Sequence, residues 1–195
     1  MLCLAAVSRA ALLSPGTAIL VSTSIPPLGS TLLATNTVSF STASYSGTLN
    51  SQVFDNDPTN SFGPSALTFS YQITNDSTST DSLERFTISS FEALLTDVDA
   101  SSGGAASPTS FDRGTSGDVI GASFTAIPLG NGEIDPGQSS RLILIRTNAT
   151  TFTTTLASVI DSLTANPSSF APTAVPEPTT LALMGLIGLA GLRRR

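Results

Sequence analysis

Two short acidic groups are the residues whose types and spacing could do chemistry. The run Asp55-Asn56-Asp57 offers carboxylate and amide oxygens, the ligands that a hard cation such as Ca²⁺ takes. It lacks the D-x-D-x-D-G spacing and the distal glutamate of a calcium loop, so we interpret it as a solvated turn and predict no metal site. Asp97 and Asp99 fall on the same side of an extended segment. Without a partner acid, base or cleft, we interpret this pair as a solvated strand edge.

Serine nucleophiles are the second chemical possibility, since serine and threonine together supply 57 residues. A serine hydroxyl needs an adjacent base, and the sequence contains no histidine and no lysine. It also contains no G-x-S-x-G elbow and no glycine-rich phosphate loop. We predict that the chain is not an enzyme, has no catalytic residues and uses no cofactor.

The charge balance of the central region argues against nucleic acid as a partner. Between Asn36 and Ala174 there are thirteen acidic residues and four arginines, which gives a net charge of −9. Binding to nucleic acid depends on clustered cations that neutralise phosphates. Cys3 is the only cysteine, so no disulfide can form within the chain, and packing and hydrogen bonds must hold the fold.

The elements that must position these side chains are strands. Residues 67–74 alternate apolar and polar without a fault, which predicts a strand with its apolar side chains towards a core and its polar side chains towards water. Residues 142–145 are apolar on both faces, which predicts a central strand. Asp135-Pro136-Gly137-Gln138 predicts a type II turn. Because no long amphipathic helix occurs between residues 36 and 174, we predict an all-β fold, a single antiparallel β-sandwich of jelly-roll or Ig-like type.

Composition sets the expected limits of this domain. We predict the β-sandwich over residues 35–162, with residues 151–155 as a short edge strand. Residues 101–117 are rich in glycine, which predicts a long mobile loop or an insertion. Residues 163–174 contain two prolines and predict a linker.

The N-terminal residues 1–34 are predicted to be an atypical signal peptide. One cation, Arg9, precedes an apolar stretch over residues 10–21, and Ser14-Pro15-Gly16 interrupts that stretch. No clean Ala-x-Ala cleavage site follows near residue 34. A misplaced start of the sequence and a disordered N-terminal arm are the alternative interpretations.

The last twenty-one residues have three parts in a fixed order. Pro176-Glu177-Pro178 is rigid because proline fixes φ and disfavours helix in the residue before it. Residues 179–192 are apolar after two threonines, and a triplet of arginines follows. Fourteen helical residues span roughly 21 Å, which is short of the ~30 Å hydrocarbon core. We predict a short transmembrane helix, which arginine snorkelling and local thinning of the bilayer can accommodate. A short buried C-terminal helix is the alternative.

This segment resembles a PEP-CTERM sorting signal. The resemblance is carried by the motif Val175, Pro176, Glu177 and Pro178, by the short glycine-rich apolar stretch 179–192, and by the membrane stop Arg193, Arg194 and Arg195. It implies an exosortase as a partner, a membrane cysteine peptidase-transpeptidase that processes the tail near residues 176–178. It also implies a Gram-negative bacterium that makes exopolysaccharide, a transient inner-membrane intermediate, and a final location at the cell surface or outside the cell.

We therefore predict an exported, non-enzymatic surface or extracellular-matrix protein associated with exopolysaccharide and biofilm. The first alternative is a carbohydrate-binding β-sandwich module. Such a module would need exposed aromatic rings, whereas the sequence has no tryptophan and only Tyr45 and Tyr71, and the alternation places Tyr71 in the core. The second alternative is a secreted hydrolase, for which no base is available.

Overall fold

The domain is built from strands. The computed structural model describes residues 11–24, 26–101, 104–125 and 132–173. Within these residues there are fourteen strands and no helix, which confirms the all-β prediction. The strands are β1 (Ala11–Leu12), β2 (Ala18–Leu20), β3 (Thr23–Ser24), β4 (Thr31–Ser41), β5 (Ser46–Asp55), β6 (Thr68–Asn75), β7 (Arg85–Ile88), β8 (Thr96–Ser101), β9 (Ser110–Arg113), β10 (Ile120–Ser123), β11 (Leu142–Thr147), β12 (Phe152–Ile160), β13 (Thr164–Ala165) and β14 (Ser168–Pro172).

The strands form two sheets, as a β-sandwich requires. The first sheet has the order β1-β8-β11-β6-β5-β4, and β3 also pairs with β8. The second sheet has the order β13-β12-β7-β10-β9-β2, and β14 also pairs with β12. The strand pairs are antiparallel except for the short pair β3–β8. β11 lies between β8 and β6, which confirms that residues 142–145 belong to a central strand. The jelly-roll or Ig-like type of the sandwich stays a prediction.

The core lies between the sheets because alternate residues of each strand point inwards. Phe69, Tyr71 and Ile73 of β6 are fully buried, as the alternation predicts. The Tyr71 ring packs against Phe86 of the second sheet with 5.2 Å between ring centroids. Other large side chains of this core are Leu49, Val53, Ile88, Val98, Phe111, Ile120, Phe124, Ile143, Ile145 and Val159.

The turn before β11 has the predicted geometry. Gly137 has a φ of 83°, the positive value that the third residue of a type II turn needs. The N–H of Gln138 donates to the carbonyl of Asp135 at 2.9 Å, which closes the turn. Pro136 therefore occupies the second position, where its fixed φ is favourable.

The outer face of the first sheet is covered at its centre. Thr68 and Ser70, predicted to face water, are 0% and 1% exposed. The segment between β5 and β6 folds back over Thr68. From this segment Asp57 accepts a hydrogen bond from Thr68 at 2.8 Å, and Asn60 donates to the carbonyl of Thr147 at 3.3 Å. The alternation of β6 is correct, but the first half of its outer face is buried as well.

The predicted loop at residues 101–117 contains a strand of the second sheet. β9 pairs with β10 on one side and with β2 on the other, and its Phe111 and Arg113 are buried. The prediction of a long mobile loop is wrong here because Gly104 and Gly117 lie on either side of β9. Both have positive φ, 142° and 79°, and thus serve the turns around the strand.

Most of the predicted linker, residues 163–174, belongs to the domain. β13 and β14 form one interrupted arm that pairs with β12, from Ile160↔Thr164 to Phe152↔Pro172. Ala171 in this arm is fully buried. The prolines are tolerated because the arm is an edge, where a missing N–H interrupts no ladder on the outer side. β12 pairs with β7 only at residues 157–160, whereas its residues 152–156 pair with β14 alone. Residues 152–155 therefore form an edge, as predicted, but the strand is not short, because it extends to Ile160.

Part of the predicted signal peptide also takes part in the sheets. β1 pairs with β8, β2 pairs with β9, and the start of β4 pairs with β5. Leu13 is fully buried in the core. Cleavage of residues 1–34 stays a prediction, but a domain that begins at residue 35 would lack these three contacts with the sheets.

Candidate functional site

The domain meets the C-terminal tail at the end of the hairpin formed by β12 and β14. Thr173 follows β14, and its N–H donates to the carbonyl of Thr151 at 3.1 Å. Phe152 and Phe170 pack edge to face across the hairpin, with 5.5 Å between ring centroids. The described chain therefore ends on a hydrogen-bonded strand.

Two buried tyrosines attach this hairpin to the first sheet. The Tyr71 hydroxyl donates to the carbonyl of Phe170 at 2.8 Å. The Tyr45 hydroxyl lies 2.9 Å from the carbonyls of both Val159 and Leu163. Burial raises the pKa of both hydroxyls, that of Tyr71 well above its ordinary value. Both groups therefore stay protonated and keep donating at neutral pH.

The predicted sorting residues lie outside the described residues. They are Val175, Pro176, Glu177 and Pro178, the apolar stretch 179–192, and Arg193, Arg194 and Arg195. Three residue steps separate Thr173 from Pro176, so covalent geometry limits that distance to about 11 Å. Within the described ranges no helix is long and apolar enough to cross a membrane.

Asp57, Asp99 and Arg146 form a buried ion-pair cluster on the outer face of the first sheet. Arg146 Nε lies 3.1 Å from Asp57 Oδ2, and Arg146 Nη1 lies 2.5 Å from Asp99 Oδ2. The three side chains are at most 1% exposed. The β8–β11 register places Arg146 opposite Asp97 and diagonal to Asp99, within reach of a long side chain. The cluster thus joins two strands to the covering segment.

The surroundings of Asp57 favour its charged form. Burial alone would raise the pKa of this carboxyl, but hydrogen bonds from Thr59 and Thr68 and the charge of Arg146 outweigh burial. The pKa of Asp57 therefore lies below its ordinary value. A carboxylate held in this way is a structural anion, because a general base would need a raised pKa and access to a substrate proton.

The two acidic groups singled out in the sequence are both placed differently from prediction. Asp97 and Asp99 do share one side of β8, but both are buried, so the prediction of a solvated edge is wrong. Asp97 accepts a hydrogen bond from Ser61 at 2.8 Å. Asp57 is 2% exposed, so the solvated turn is wrong for this residue. Across the described ranges no group of three or more histidine, cysteine or acidic side chains could hold a metal ion.

Arg113 is a buried cation that the sequence analysis missed. Its guanidinium donates to the carbonyls of Leu13, Phe91, Leu94 and Gly117 at 2.7–3.0 Å and to the Thr96 hydroxyl at 3.0 Å. Burial lowers its pKa. Arg113 therefore ties the N-terminal segment to two loops of the domain. A four-residue strand carries too little periodicity for this role to be found in the sequence.

A second arginine of the second sheet forms a partly exposed ion pair. Arg85 of β7 reaches across β10 to Asp112 of β9, with Nη1–Oδ1 and Nη2–Oδ2 distances of 2.7 and 2.8 Å. It passes over Gly121, where an added Cβ would lie 2.3 Å from Arg85 Nη2. The absence of a side chain at this position makes room for the pair.

Comparison with known proteins identifies only the C-terminal end. Residues 174–195 match the family model of the PEP-CTERM protein-sorting motif. The match begins one residue before Val175 and includes the arginine triplet, so the predicted sorting signal is confirmed. Neither a curated protein nor a solved structure matches the chain. The sandwich domain therefore has to be interpreted from its own residues.

Proposed function

We propose that this chain is an exported, non-enzymatic protein of the cell surface or extracellular matrix, with a tail that an exosortase recognises and processes. The observation that carries the proposal is the PEP-CTERM motif at residues 174–195, which implies an exported, exosortase-sorted protein. In this proposal Val175, Pro176, Glu177 and Pro178 are recognised by the peptidase. Residues 179–192 cross the inner membrane transiently, and the terminal arginines stay on the cytoplasmic side.

The state of the acidic residues supports a non-enzymatic role. Asp57 and Asp99 are held by Arg146, and Asp97 accepts from Ser61. A catalytic carboxylate must contact its substrate, whereas these three are buried beneath the segment that covers the first sheet. The absence of histidine and lysine from the sequence removes the other common bases.

Association with exopolysaccharide and biofilm in a Gram-negative host is proposed from the sorting signal. Direct carbohydrate binding is the first alternative, and exposed aromatic rings would favour it. Tyr45 and Tyr71 are instead buried, with both hydroxyls bonded to the C-terminal hairpin. A secreted hydrolase is the second alternative, and it would need a base that the sequence does not supply.

Cell fractionation tests the proposal. The full chain would be expressed in a host that carries an exosortase and in the same host without it. With the exosortase we expect a surface or extracellular product shortened by the tail. Without it we expect an unprocessed, membrane-associated chain. Glu177→Gln should reduce processing, whereas Glu92→Gln removes the same charge from an exposed position of the domain and should not.

Three results would contradict the proposal. A wild-type chain that stays in the cytosol at full length in the exosortase host would remove the sorting assignment. Equal loss of processing in both glutamate variants would show that the tail is not the recognised element. A specific micromolar ligand on a glycan array would favour the carbohydrate-binding alternative over the purely structural role.

A further inference from the structure

β4 is a long edge strand with one side unpaired by the domain. It runs for eleven residues, and within the described part of the chain β5 is the only strand that pairs with it. The register with β5 shifts between Leu32 and Ala34, so the regular part of the edge covers residues 34–41. An edge of this kind presents a row of N–H and C=O groups to any further strand.

Most of the other described edges are protected in recognisable ways, and the five residues 152–156 of β12, which also pair on one side only, are a shorter edge than β4. β1, β2 and β3 are two or three residues long. The β13–β14 arm contains Pro167 and Pro172, and two of its carbonyls are engaged by the first sheet. The Phe170 carbonyl accepts from Tyr71, and the Ser168 carbonyl accepts from Asn36 at 3.5 Å. Short strands and prolines are the usual protection of sheet edges, and β4 has neither.

The hydrogen bonds of the neighbouring strands show which residues of β4 direct their backbone N–H and C=O groups away from β5. We call these the outward residues. The carbonyl of Ser46 in β5 accepts from the N–H of Asp76, on the side of β6, so the backbone groups of Ser46 point away from β4. Opposed residues in an antiparallel ladder alternate between hydrogen-bonded and non-bonded pairs, and Ser41 and Ser46 are therefore a non-bonded pair. The backbone N–H and C=O of Ser41 thus point away from β5. Alternation assigns the same outward direction to Thr35, Thr37 and Ser39.

Charge makes this edge suitable for a second copy of the chain. Most of the acidic residues lie in the region with a net charge of −9. Two copies of the domain therefore repel each other in most relative orientations. β4 contains no charged residue, and Thr35, Thr37, Ser39 and Ser41 have exposed side chains. Antiparallel pairing of two β4 strands would place hydroxyl side chains opposite each other and bring no like charges into contact.

We propose that β4 pairs antiparallel with β4 of a second copy across a two-fold axis at Val38. This register uses all four outward residues, with Thr37 opposite Ser39 and Thr35 opposite Ser41 of the second copy. Seven paired residues span only about 24 Å, so the contact is smaller than a standard interface and forms at high protein concentration. Because a two-fold contact uses the β4 edge of each copy once, association through β4 stops at the dimer.

A pair of matched variants of the full chain tests the register. Thr37→Lys/Ser39→Lys places two lysines opposite two lysines across the axis, whereas Thr37→Lys/Ser39→Glu places each lysine opposite a glutamate. Both variants lose the bond that Asn50 donates to Thr37, so they differ only in charge. Mass would be measured by analytical ultracentrifugation in detergent, over about 1–500 µM. Circular dichroism would verify that both variants fold.

We expect the wild type and the Lys/Glu variant to rise from monomer to twice the monomer mass, and the Lys/Lys variant to stay monomeric. A monomeric wild type overturns the proposal, as do dimers of all three proteins or growth beyond a dimer. If the wild type dimerises but both variants stay monomeric, the proposed register is wrong. Hydrogen exchange of the wild type gives a test without substitution: amides of Thr35, Thr37 and Ser39 should become protected with concentration, and unchanged exchange overturns the assignment to β4.

Discussion

Replacing Arg146 with methionine is expected to destabilise the domain by about 3–5 kcal/mol at pH 7. Methionine keeps an unbranched apolar side chain but removes the charge. Asp57 and Asp99 would then remain buried without the cation that now lies 3.1 and 2.5 Å from them. Breaking one partner of a buried ion pair leaves an uncompensated charge, which is why the cost is high. It is a large fraction of a total stability of about 5–15 kcal/mol.

The loss should depend on pH. In the wild type the pKa of Asp57 lies below its unfolded value of about 3.9, so its contribution is present above that pH and is lost as the pH falls through the folded pKa. In the variant no cation offsets burial, so burial should raise the pKa of Asp57 above the unfolded value. Protonation then relieves the variant as the pH falls, and the difference between the two proteins should shrink from pH 7 towards pH 4.

Urea unfolding followed by circular dichroism measures this effect, since the chain has no tryptophan. With a slope of about 2 kcal/mol/M, the midpoint of the variant should fall by about 1.5–2.5 M at pH 7. Arg85→Met is the matched control. Its ion pair with Asp112 is 33% and 37% exposed, so its loss should cost no more than about 1 kcal/mol. Equal effects of the two substitutions, or a loss at position 146 that does not vary with pH, would refute the reasoning.

Three further outcomes are expected. Gly121→Ala should displace Arg85, because the new Cβ would lie 2.3 Å from its Nη2, and should lower the free energy of unfolding by about 1 kcal/mol without unfolding the domain. Tyr71→Phe removes the hydroxyl that donates to Phe170 and should cost about 1 kcal/mol and increase proteolysis of the C-terminal hairpin. Deletion of residues 1–34 should abolish the cooperative unfolding transition, because the core loses Leu13. A folded deletion protein would instead support the predicted signal peptide.

Local patterns predicted the parts of the fold that depend on local chemistry. The strict alternation of residues 67–74 identifies a strand and its core face, since period two follows from strand geometry alone. The turn at Pro136 and Gly137 follows in the same way from the φ values these residues adopt. The sorting motif is equally visible, because its elements lie in a fixed linear order within the last residues of the chain.

Features that depend on distant segments were not predictable from those patterns. Asp57 and Arg146 are 89 residues apart in the sequence, and only the segment that folds over the first sheet brings them together. Polar residues of β6 and β8 were assigned to water because alternation reports which residues share a face, without reporting what covers that face. Pro167 indicated a linker for a related reason, since a proline is compatible both with a linker and with an edge strand.

The structure also bounds how far the domain can be from the proposed site of processing. Pro176 is three residue steps from Thr173, and Thr173 is hydrogen-bonded to the hairpin of β12 and β14. Whatever the arrangement of the intervening residues, at most about 11 Å separates the last bonded residue from the motif's first proline. A peptidase acting near residues 176–178 must therefore work close to the folded hairpin. The hydroxyls of Tyr45 and Tyr71 bond that hairpin to the first sheet, so these contacts hold the hairpin in the domain next to the proposed site of processing.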